Sequence, residues 1–552
     1  MPRRFEVSAH VKWASVRAEP RSPGPRAPSR AQLTSKCSER MSFLLQSSPG
    51  LHSNDRDIDE LMIKKISNYC IYAYCIVIFI IFPLFYRDGY HDIGIAKYDF
   101  FIKFHIVALL IMCPLILWKE KIEFSLLDKA VLVFLGANVI SAILSDYRSV
   151  AWRGSDGWYM GLFSQIIFVL IYFCIKNVGT LQTKEWYAVA WTALGGATVV
   201  YVLGILNRFS VYPLDMGVEH TAFISTIGNI NWFCGYWSIM APMGIGLYLI
   251  STGKMKLFSG MYCFVAMLAG LVQGSTSALL VVLGCGSILL WQAFHSKRRL
   301  LVLIELLAIG SLAMETVFVL GKAFPKGMKY NNVLIKYLLA HQPGLMLFGA
   351  ALAAWLVVRV ACPQYDILNN HKTSEKNGQA RNTSKVFFAI LILVCIFIVC
   401  YAVKNGWIVL DEDFGNGRLG IWMISFALIK SMNVRQLLFG VGPDCFGNYL
   451  YSFSDLAPKL TEMFGSNRLT NCHCEILNTF INIGLLGAVS FLSVIIIALK
   501  TFMQQMEKHA ILWLVVLGIC GYVFLNVIGF AQIMNMPYIF ILMGLGEKIC
   551  EQ

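Results

Sequence analysis

Charge is scarce in this chain. Asp, Glu, Lys and Arg make up only 14% of the 552 residues, whereas soluble proteins carry about 25%. Hydrophobic residues make up 57%, and apolar runs of about 20 residues, long enough to cross a bilayer, recur along the sequence. These features exclude a soluble globular domain. Because a spanning segment must satisfy its backbone hydrogen bonds internally, we predict an all-α, polytopic integral membrane protein.

About fourteen helices are predicted from the alternation of apolar runs with polar connectors after Ile66. Membrane helices are expected over 61–403 and 473–552, on either side of a long extracytoplasmic loop over 404–472. The individual spans are expected near 66–86, 100–118, 126–145, 160–175, 185–206, 231–250, 258–273, 277–294, 300–320, 343–360, 386–403, 474–499, 510–529 and 533–546.

Residues 1–60 also lack a long apolar stretch, so they contain no signal-peptide centre. The segment Pro20–Arg30 is rich in Pro, Arg and Ser and has no periodicity, which is typical of a disordered basic tail. The alternative is a start site assigned too early, with Met41 or Met62 as the first residue of the protein. No function is assigned to this tail.

The net charge of +14 does not indicate a nucleic-acid-binding protein, because the basic residues lie mainly in the tail and in short connectors. Such a bias is typical of cytoplasmic loops. The connectors assigned to the cytoplasmic side contain Lys64, Lys65, Lys119, Lys121, Lys176, Lys184, Lys254, Lys256, Lys297, Arg298, Arg299, Lys372, Lys376, Arg381, Lys385, Lys500 and Lys508. Lys322, Lys326 and Lys329 on the outer side depart from the rule.

This orientation places four polar connectors on the outer side, where side chains from different loops can form one site. They are Trp152–Tyr159, Asn207–Asn231, Gly274–Ser277 and Lys404–Cys472.

The last of these connectors and its junction with the next span contain three motifs: Gly417–Trp422, Gly440-Val441-Gly442-Pro443 and Cys472-His473-Cys474-Glu475. Arg418 opens a helix-like stretch from Leu419 to Lys430. The second motif predicts a turn, because Gly accepts positive φ and Pro ends a helix. His473 can act as a base near neutral pH. Taken singly, Arg418 also fits a solvated charge at a helix start, and His473 fits a capping or interfacial histidine.

Together the motifs resemble the O-antigen ligase and polysaccharide polymerase family over roughly 66–546. The resemblance is carried by Arg418 with Trp422, by Leu438-Phe439-Gly440-Val441-Gly442, by His473 with Glu475 and Leu477, and by the following Asn482, Gly484, Leu485, Leu486 and Gly487. The segment Ser225–Asn231 is similar to the family's Gly-Asn-x-Asn segment, and Gly274–Ser277 to a turn that often ends in Ser-Arg.

The chain departs from the family pattern in three places. Ala278 stands where many members have arginine, Trp158 and Tyr159 occupy a loop that often carries another arginine, and Cys474 stands where asparagine is usual. Arg153 or Arg208 are candidates to replace the missing positive charge, although either also fits a residue that extends its charged end to the membrane surface.

The resemblance implies a glycosyltransferase or ligase in the bacterial cytoplasmic membrane. Its donor would be a polyprenyl-diphosphate-linked glycan, and its acceptor a hydroxyl of a glycan or lipid. His473 would be the base and Arg418 the diphosphate contact, with Asn229, Asn231 and Glu475 as further substrate-binding candidates. Neither a cofactor nor a metal ion is expected, and no Gly-x-x-x-x-Gly-Lys motif for a nucleotide occurs.

The alternative function is secondary transport of a small solute. Glu305 and Glu315 lie inside a predicted span, and ionisable residues in such places are often functional. Both also fit local roles, one near a helix end and the other beside a polar partner. Ten residues apart on a helix, they lie about 80° out of alignment.

The 16 cysteines lie mostly in or near apolar runs, where Cys behaves as a small hydrophobic residue. A disulfide between Cys445 and Cys472 is conceivable, but spacing alone does not establish it. The Cys472-His473-Cys474 sequence lacks a second ligand pair at the spacing that a zinc site requires.

Overall fold

The computed structural model describes residues 49–117, 122–217, 222–273, 275, 277–294, 296–325, 328, 333–361, 401, 404–405, 411–412, 414–415, 417–465 and 468–552. These residues are predominantly helical. The one strand pairing among them is antiparallel and joins β1 (Phe223–Ile224) to β2 (Gly228–Asn229).

The helices of the described residues, numbered in chain order, are α1 (Pro49–Ile76), α2 (Phe82–Leu84), α3 (Ile93–Leu117), α4 (Leu126–Leu144), α5 (Arg148–Arg153), α6 (Leu162–Asn177), α7 (Thr183–Arg208), α8 (Ile230–Ile250), α9 (Gly253–Val272), α10 (Ser277–Ala293), α11 (Lys297–Ala323), α12 (Val333–His341), α13 (Pro343–Ala361), α14 (Arg418–Ser431), α15 (Val434–Phe439), α16 (Phe446–Leu450), α17 (Ala457–Phe464), α18 (Glu475–Gln505), α19 (Leu512–Leu525) and α20 (Met536–Cys550). A π-helical turn, Val77–Ile81, joins α1 to α2, and a 3₁₀ turn, Ser454–Leu456, precedes α17.

Nine helical segments of the described residues are long and apolar enough to cross a membrane, and α6, α10 and α19 are shorter apolar helices. The chain is therefore a multi-pass membrane protein. The nine segments are Leu61–Leu84, Ile93–Ile116, Leu126–Leu144, Thr183–Arg208, Ile230–Ile250, Gly253–Val272, Lys297–Ala323, Pro343–Val360 and Glu475–Gln505. The total of fourteen stays a prediction, and the span expected at 386–403 lies outside the described residues except for Tyr401.

The first helix begins at Pro49, which lies before the boundary near residue 61 that the sequence predicts for the tail. Pro suits the first turn of a helix because a backbone N–H at that position has no partner within the helix, so its absence costs no hydrogen bond. Polar residues then continue the helix, because adding residues to an existing helix costs little compared with nucleating one. Of the tail predicted over 1–60, residues 1–48 lie outside the described residues.

The most enclosed span is α8, with 89% of its apolar window buried, and it packs against α19. Small residues make this approach possible. At Gly521, a Cβ atom would collide with the backbone of Ser238. In membranes, packing of this kind replaces the hydrophobic effect as the main source of helix association.

A buried ion cluster links α4, α6 and α20. The Lys176 ammonium contacts the carboxylates of Asp128 at 2.5 Å and Glu547 at 3.2 Å, and the three side chains are at most 5% exposed. The Tyr172 hydroxyl donates to Asp128 as well. Each charge thus has a partner, as burial in a low-dielectric environment requires.

A kink in α18 is clamped to the Gly-x-Gly turn that the sequence predicts. Gly484 has φ 72° and ψ −173°, which interrupts the helix. The carbonyl of Ile481 accepts from Val441 N at 3.1 Å, and that of Asn482 accepts from Gly442 N at 2.8 Å. The turn between α15 and α16 is therefore fixed against α18 a few residues beyond the start of that helix.

The connectors predicted to be extracytoplasmic contact one another. Trp158 Nε1 donates to Thr470 Oγ1 at 2.6 Å, and Arg418 Nη2 donates to Ser277 Oγ at 3.4 Å. Residues from distant parts of the sequence are thereby assembled at the ends of several helices. That this end faces the outside stays a prediction from the distribution of basic residues.

Candidate functional site

A small cavity brings the two predicted catalytic residues together. It lies where α8, α10 and α14 begin. His473, just before α18, and the connector between α19 and α20 complete its wall. Its polar lining consists of Asn231, Ser277, Arg418, His473, Asn526 and Gln532. An imidazole and a guanidinium therefore share one small space with amide and hydroxyl groups.

Arg418 is the first residue of α14 and follows Gly417, which adopts a left-handed conformation with φ 80°. Its guanidinium donates from Nε to Ile528 O at 3.1 Å and from Nη1 to Gly415 O at 2.8 Å. With the bond to Ser277 Oγ, the side chain is held on three sides. Burial lowers the pKa of Arg418, but a guanidinium remains protonated in proteins, so the cavity contains a fixed positive charge.

His473 lies in the two-residue bend before α18 and has φ 48°, a conformation uncommon for residues other than Gly. Its N–H donates to Asn471 Oδ1 at 3.1 Å, and its carbonyl accepts from Trp422 Nε1 at 3.4 Å. The imidazole and the Phe530 ring pack nearly perpendicular to each other at a centroid distance of 5.2 Å. These contacts fix the backbone so that the imidazole faces the cavity.

The protonation state of His473 follows from its surroundings. Burial, and secondarily the Arg418 charge, lowers the pKa of His473 to about 4. The imidazole is therefore neutral at neutral pH and has a lone pair available to accept a proton. A neutral base beside a fixed cation is a suitable arrangement for activating a hydroxyl next to an anionic leaving group.

Two further residues of the cavity were missed by the sequence reasoning. Asn526 and Gln532 are 4% and 3% exposed, and they lie in the connector between α19 and α20. Asn526 falls inside the span expected at 510–529, and Gln532 falls in the short gap before the span expected at 533–546. The available signal was their polarity within an apolar stretch. A polar side chain there has to find a partner in the protein or in a ligand.

Of the weaker candidates, the structure places Asn231 at the cavity but not Asn229. The Asn229 side chain accepts from the Asn231 N–H at 2.8 Å and so caps α8. A helix start leaves N–H groups without partners, and Asn is a preferred residue at the cap. Of the two asparagines, only Asn231 is placed to contact a ligand in this cavity.

Neither arginine proposed as a replacement for the missing family arginines lines the cavity. Arg153 is exposed, with its guanidinium 5.8 Å from the centre of the Tyr159 ring. Arg208 is buried at the end of α7 and donates to Gln273 O at 2.7 Å. Both arginines lie near a helix end, as the sequence predicts, but their side chains contact groups outside the cavity.

Glu475 also lies elsewhere, in a separate polar cavity that includes Asp444. Its carboxylate accepts from the Thr479 hydroxyl at 3.1 Å and from Ala531 N. Because Glu475 is the first residue of α18, its side chain departs in a different direction from that of His473 in the preceding bend.

The two glutamates of the transport hypothesis have local partners. Glu305 forms an ion pair with Lys256 at 2.6 Å and accepts from the Tyr248 hydroxyl at 2.9 Å. Glu315 accepts from Gln342 Nε2 and from the Leu345 N–H at the start of α13. These contacts match the local roles considered from the sequence.

The cysteines of the loop do not form the conceivable disulfide. Cys445 and Cys472 are both buried free thiols. Within the part of the chain that the structure describes, no group of three or more His, Cys, Asp and Glu side chains is arranged to hold a metal ion.

No protein-family model matches this chain, and no curated protein matches it. The resemblance to the O-antigen ligase and polymerase family therefore stays a prediction from the motifs.

Proposed function

We propose that this protein is a membrane glycosyltransferase of the O-antigen ligase or polymerase type. It transfers a glycan from a polyprenyl diphosphate to a hydroxyl of a glycan or lipid acceptor, at the outer face of the bacterial cytoplasmic membrane. The observation that carries the proposal is the shared cavity of His473 and Arg418, which come from opposite ends of a long connector.

The chemistry follows from the two side chains. The acceptor hydroxyl oxygen forms a bond to the anomeric carbon while the bond from that carbon to the diphosphate oxygen breaks. The electron pair of the broken bond leaves with the diphosphate, and the hydroxyl proton passes to the neutral His473 imidazole. His473 then releases the proton to water.

Arg418 stabilises the leaving group. Negative charge accumulates on the bridging diphosphate oxygen as the bond breaks, and a guanidinium that is already oriented lowers the energy of that state. Because three of its N–H groups are held by the protein, the guanidinium needs little reorganisation during the reaction. A polyprenyl donor arrives laterally from the bilayer, which suits a cavity at the ends of membrane helices.

The test is glycan analysis of cells that lack the gene and are complemented with wild type, His473→Ala or His91→Ala. His91 is exposed and serves as the control for replacing a histidine. Wild type and His91→Ala are expected to restore the surface glycan, and His473→Ala is expected to leave the unlinked lipid-diphosphate glycan to accumulate. Equal glycan profiles for His473→Ala and wild type, at equal protein levels in the membrane, would overturn the proposal.

A further inference from the structure

Beyond the reacting pair, the cavity contains amide groups that the protein itself leaves without partners. Both polar atoms of the Asn526 side chain and the Oε1 atom of Gln532 are buried, and none of them makes a hydrogen bond among the described residues. The Tyr522 hydroxyl interacts with the Asn526 amide, but its proton is donated to the sulfur of Met536 at 3.2 Å, so neither Asn526 atom has a well-formed hydrogen bond. Buried polar atoms without partners are rare in folded proteins and require an explanation.

The chemistry of these atoms specifies what can satisfy them. Gln532 Oε1 is an acceptor, so its partner must be a donor such as a hydroxyl or an N–H group. Asn526 offers one acceptor and two donors. A phosphate or carboxylate accepts hydrogen bonds only, so it can satisfy the amide N–H groups but leaves the amide oxygens of Asn526 and Gln532 without partners. A neutral sugar presents hydroxyl or amido groups that both donate and accept, and it satisfies both side chains.

The charge of the cavity leads to the same class of ligand. Among the described residues that line it, Arg418 is the one side chain that is charged at neutral pH, because the His473 pKa lies near 4. This one fixed cation offsets one of the two negative charges of the diphosphate. The carboxylate of an acidic sugar would add a third negative charge, and it would enter the cavity without a cationic partner.

We propose that Asn526 and Gln532 bind the sugar next to the diphosphate, and that this sugar is neutral. The identity of the donor rests on the proposed function. The binding of a neutral sugar by the two amides rests on the unpartnered atoms themselves.

The experiment uses the full-length protein in lipid nanodiscs with Asn526→Leu and Gln532→Met, which keep approximate side-chain size and remove the amides. The matched control is Asn138→Leu, because Asn138 is a buried amide that lines the other cavity and donates to Phe134 O at 2.9 Å. The probes are synthetic polyprenyl-diphosphate N-acetylglucosamine and the corresponding glucuronic acid lipid. Two quantities are measured: the Tm with and without lipid, and the kcat and KM for transfer.

Removing an unpartnered buried amide removes an unfavourable burial, so neither variant is expected to lower the Tm of the free protein, whereas Asn138→Leu is expected to lower it. Adding the neutral lipid is expected to raise the Tm of wild type and of His473→Ala. The rise is expected to be smaller in Asn526→Leu and Gln532→Met. The KM for that lipid is expected to rise about tenfold in each variant, the size of one lost hydrogen bond. The glucuronic acid lipid is expected to be a poor substrate and to give little rise in Tm.

The result that overturns the inference is a Tm loss in both variants as large as that in Asn138→Leu, or a lipid-induced Tm rise that both variants retain in full. Equal use of the acidic and the neutral lipid overturns the neutral-sugar assignment. If wild type shows the lipid-induced rise without any transfer, the proposed function fails while the sugar site stands, so the two failures are distinguishable.

Discussion

Replacing Arg418 with Lys keeps the positive charge but removes the planar fork of donors. In the structure, one guanidinium contacts three acceptors, namely Ile528 O, Gly415 O and Ser277 Oγ. A lysine ammonium is a single point at the end of a flexible chain and cannot span three acceptors while also contacting a diphosphate. The variant therefore separates the effect of charge from the effect of orientation.

The size of the effect follows from the donor count. A guanidinium has five N–H donors, and three are used by the protein, so five less three leaves two for the diphosphate. Hydrogen bonds to charged groups contribute roughly 1.5–3 kcal/mol each, so losing both costs about 3–6 kcal/mol. Because lysine retains the charge, the lower figure applies, and kcat/KM is expected to fall about 100-fold at 1.4 kcal/mol per tenfold change.

The assay is transfer from a polyprenyl-diphosphate glycan by the protein in proteoliposomes, with Tm measured in parallel. Arg435→Lys is the matched control, because Arg435 is exposed and makes a single 3.2 Å contact with Asp146, so wild-type activity is expected. An Arg418→Lys protein that keeps its Tm and transfers at a rate within threefold of wild type would refute the assignment of Arg418 to the diphosphate.

Three further outcomes are expected. Burial and the Arg418 charge lower the pKa of His473 to about 4, so the imidazole stays neutral until the pH falls to that value. In a pH series, kcat/KM should stay constant from pH 8 to about 5 and fall below about pH 4. A midpoint near 6.5 would contradict this environment of His473. Gly440→Ala should lower the Tm in thermal melts by several degrees. Gly440 has φ 77°, a Cβ there would collide with the backbone of α18, and the backbone strain alone costs about 1–3 kcal/mol. Gly465→Ala is the control, because Gly465 has φ 58° but open space around it, and an equally large loss of Tm there would show that the collision is unimportant. Lys176→Met should reduce the free energy of unfolding by about 3–5 kcal/mol, because it leaves buried carboxylates without their cation; a chemical denaturation curve unchanged from wild type would contradict the ion cluster.

Much of the local structure at the site is predictable from the sequence. The helix expected over Leu419–Lys430 is found as Arg418–Ser431, and Gly440 and Gly442 form the turn that their composition predicts. Both depend on interactions between residues that are close in the chain. The clamp between that turn and the kink at Gly484 joins segments far apart in sequence, so no local pattern specified it.

The side chains that line the cavity were only partly predictable. Family motifs selected His473 and Arg418, and the cavity includes both. Asn229 and Glu475 belong to the same motifs but face other partners. A motif gives residue types and spacing, whereas one residue of difference at a helix start changes the direction of the side chain by about 100°.

The sequence by itself determined that this chain is helical and membrane-spanning, because lipid offers no partner for backbone N–H and C=O groups and an apolar run of sufficient length must form a helix. Only the tertiary structure decided which polar side chains meet at the ends of those helices. The Asn526 and Gln532 amides join His473 and Arg418 in one cavity because α8, α10, α14 and α18 begin where α19 ends. The packing that brings these helix termini together depends on contacts between segments that are distant in the chain.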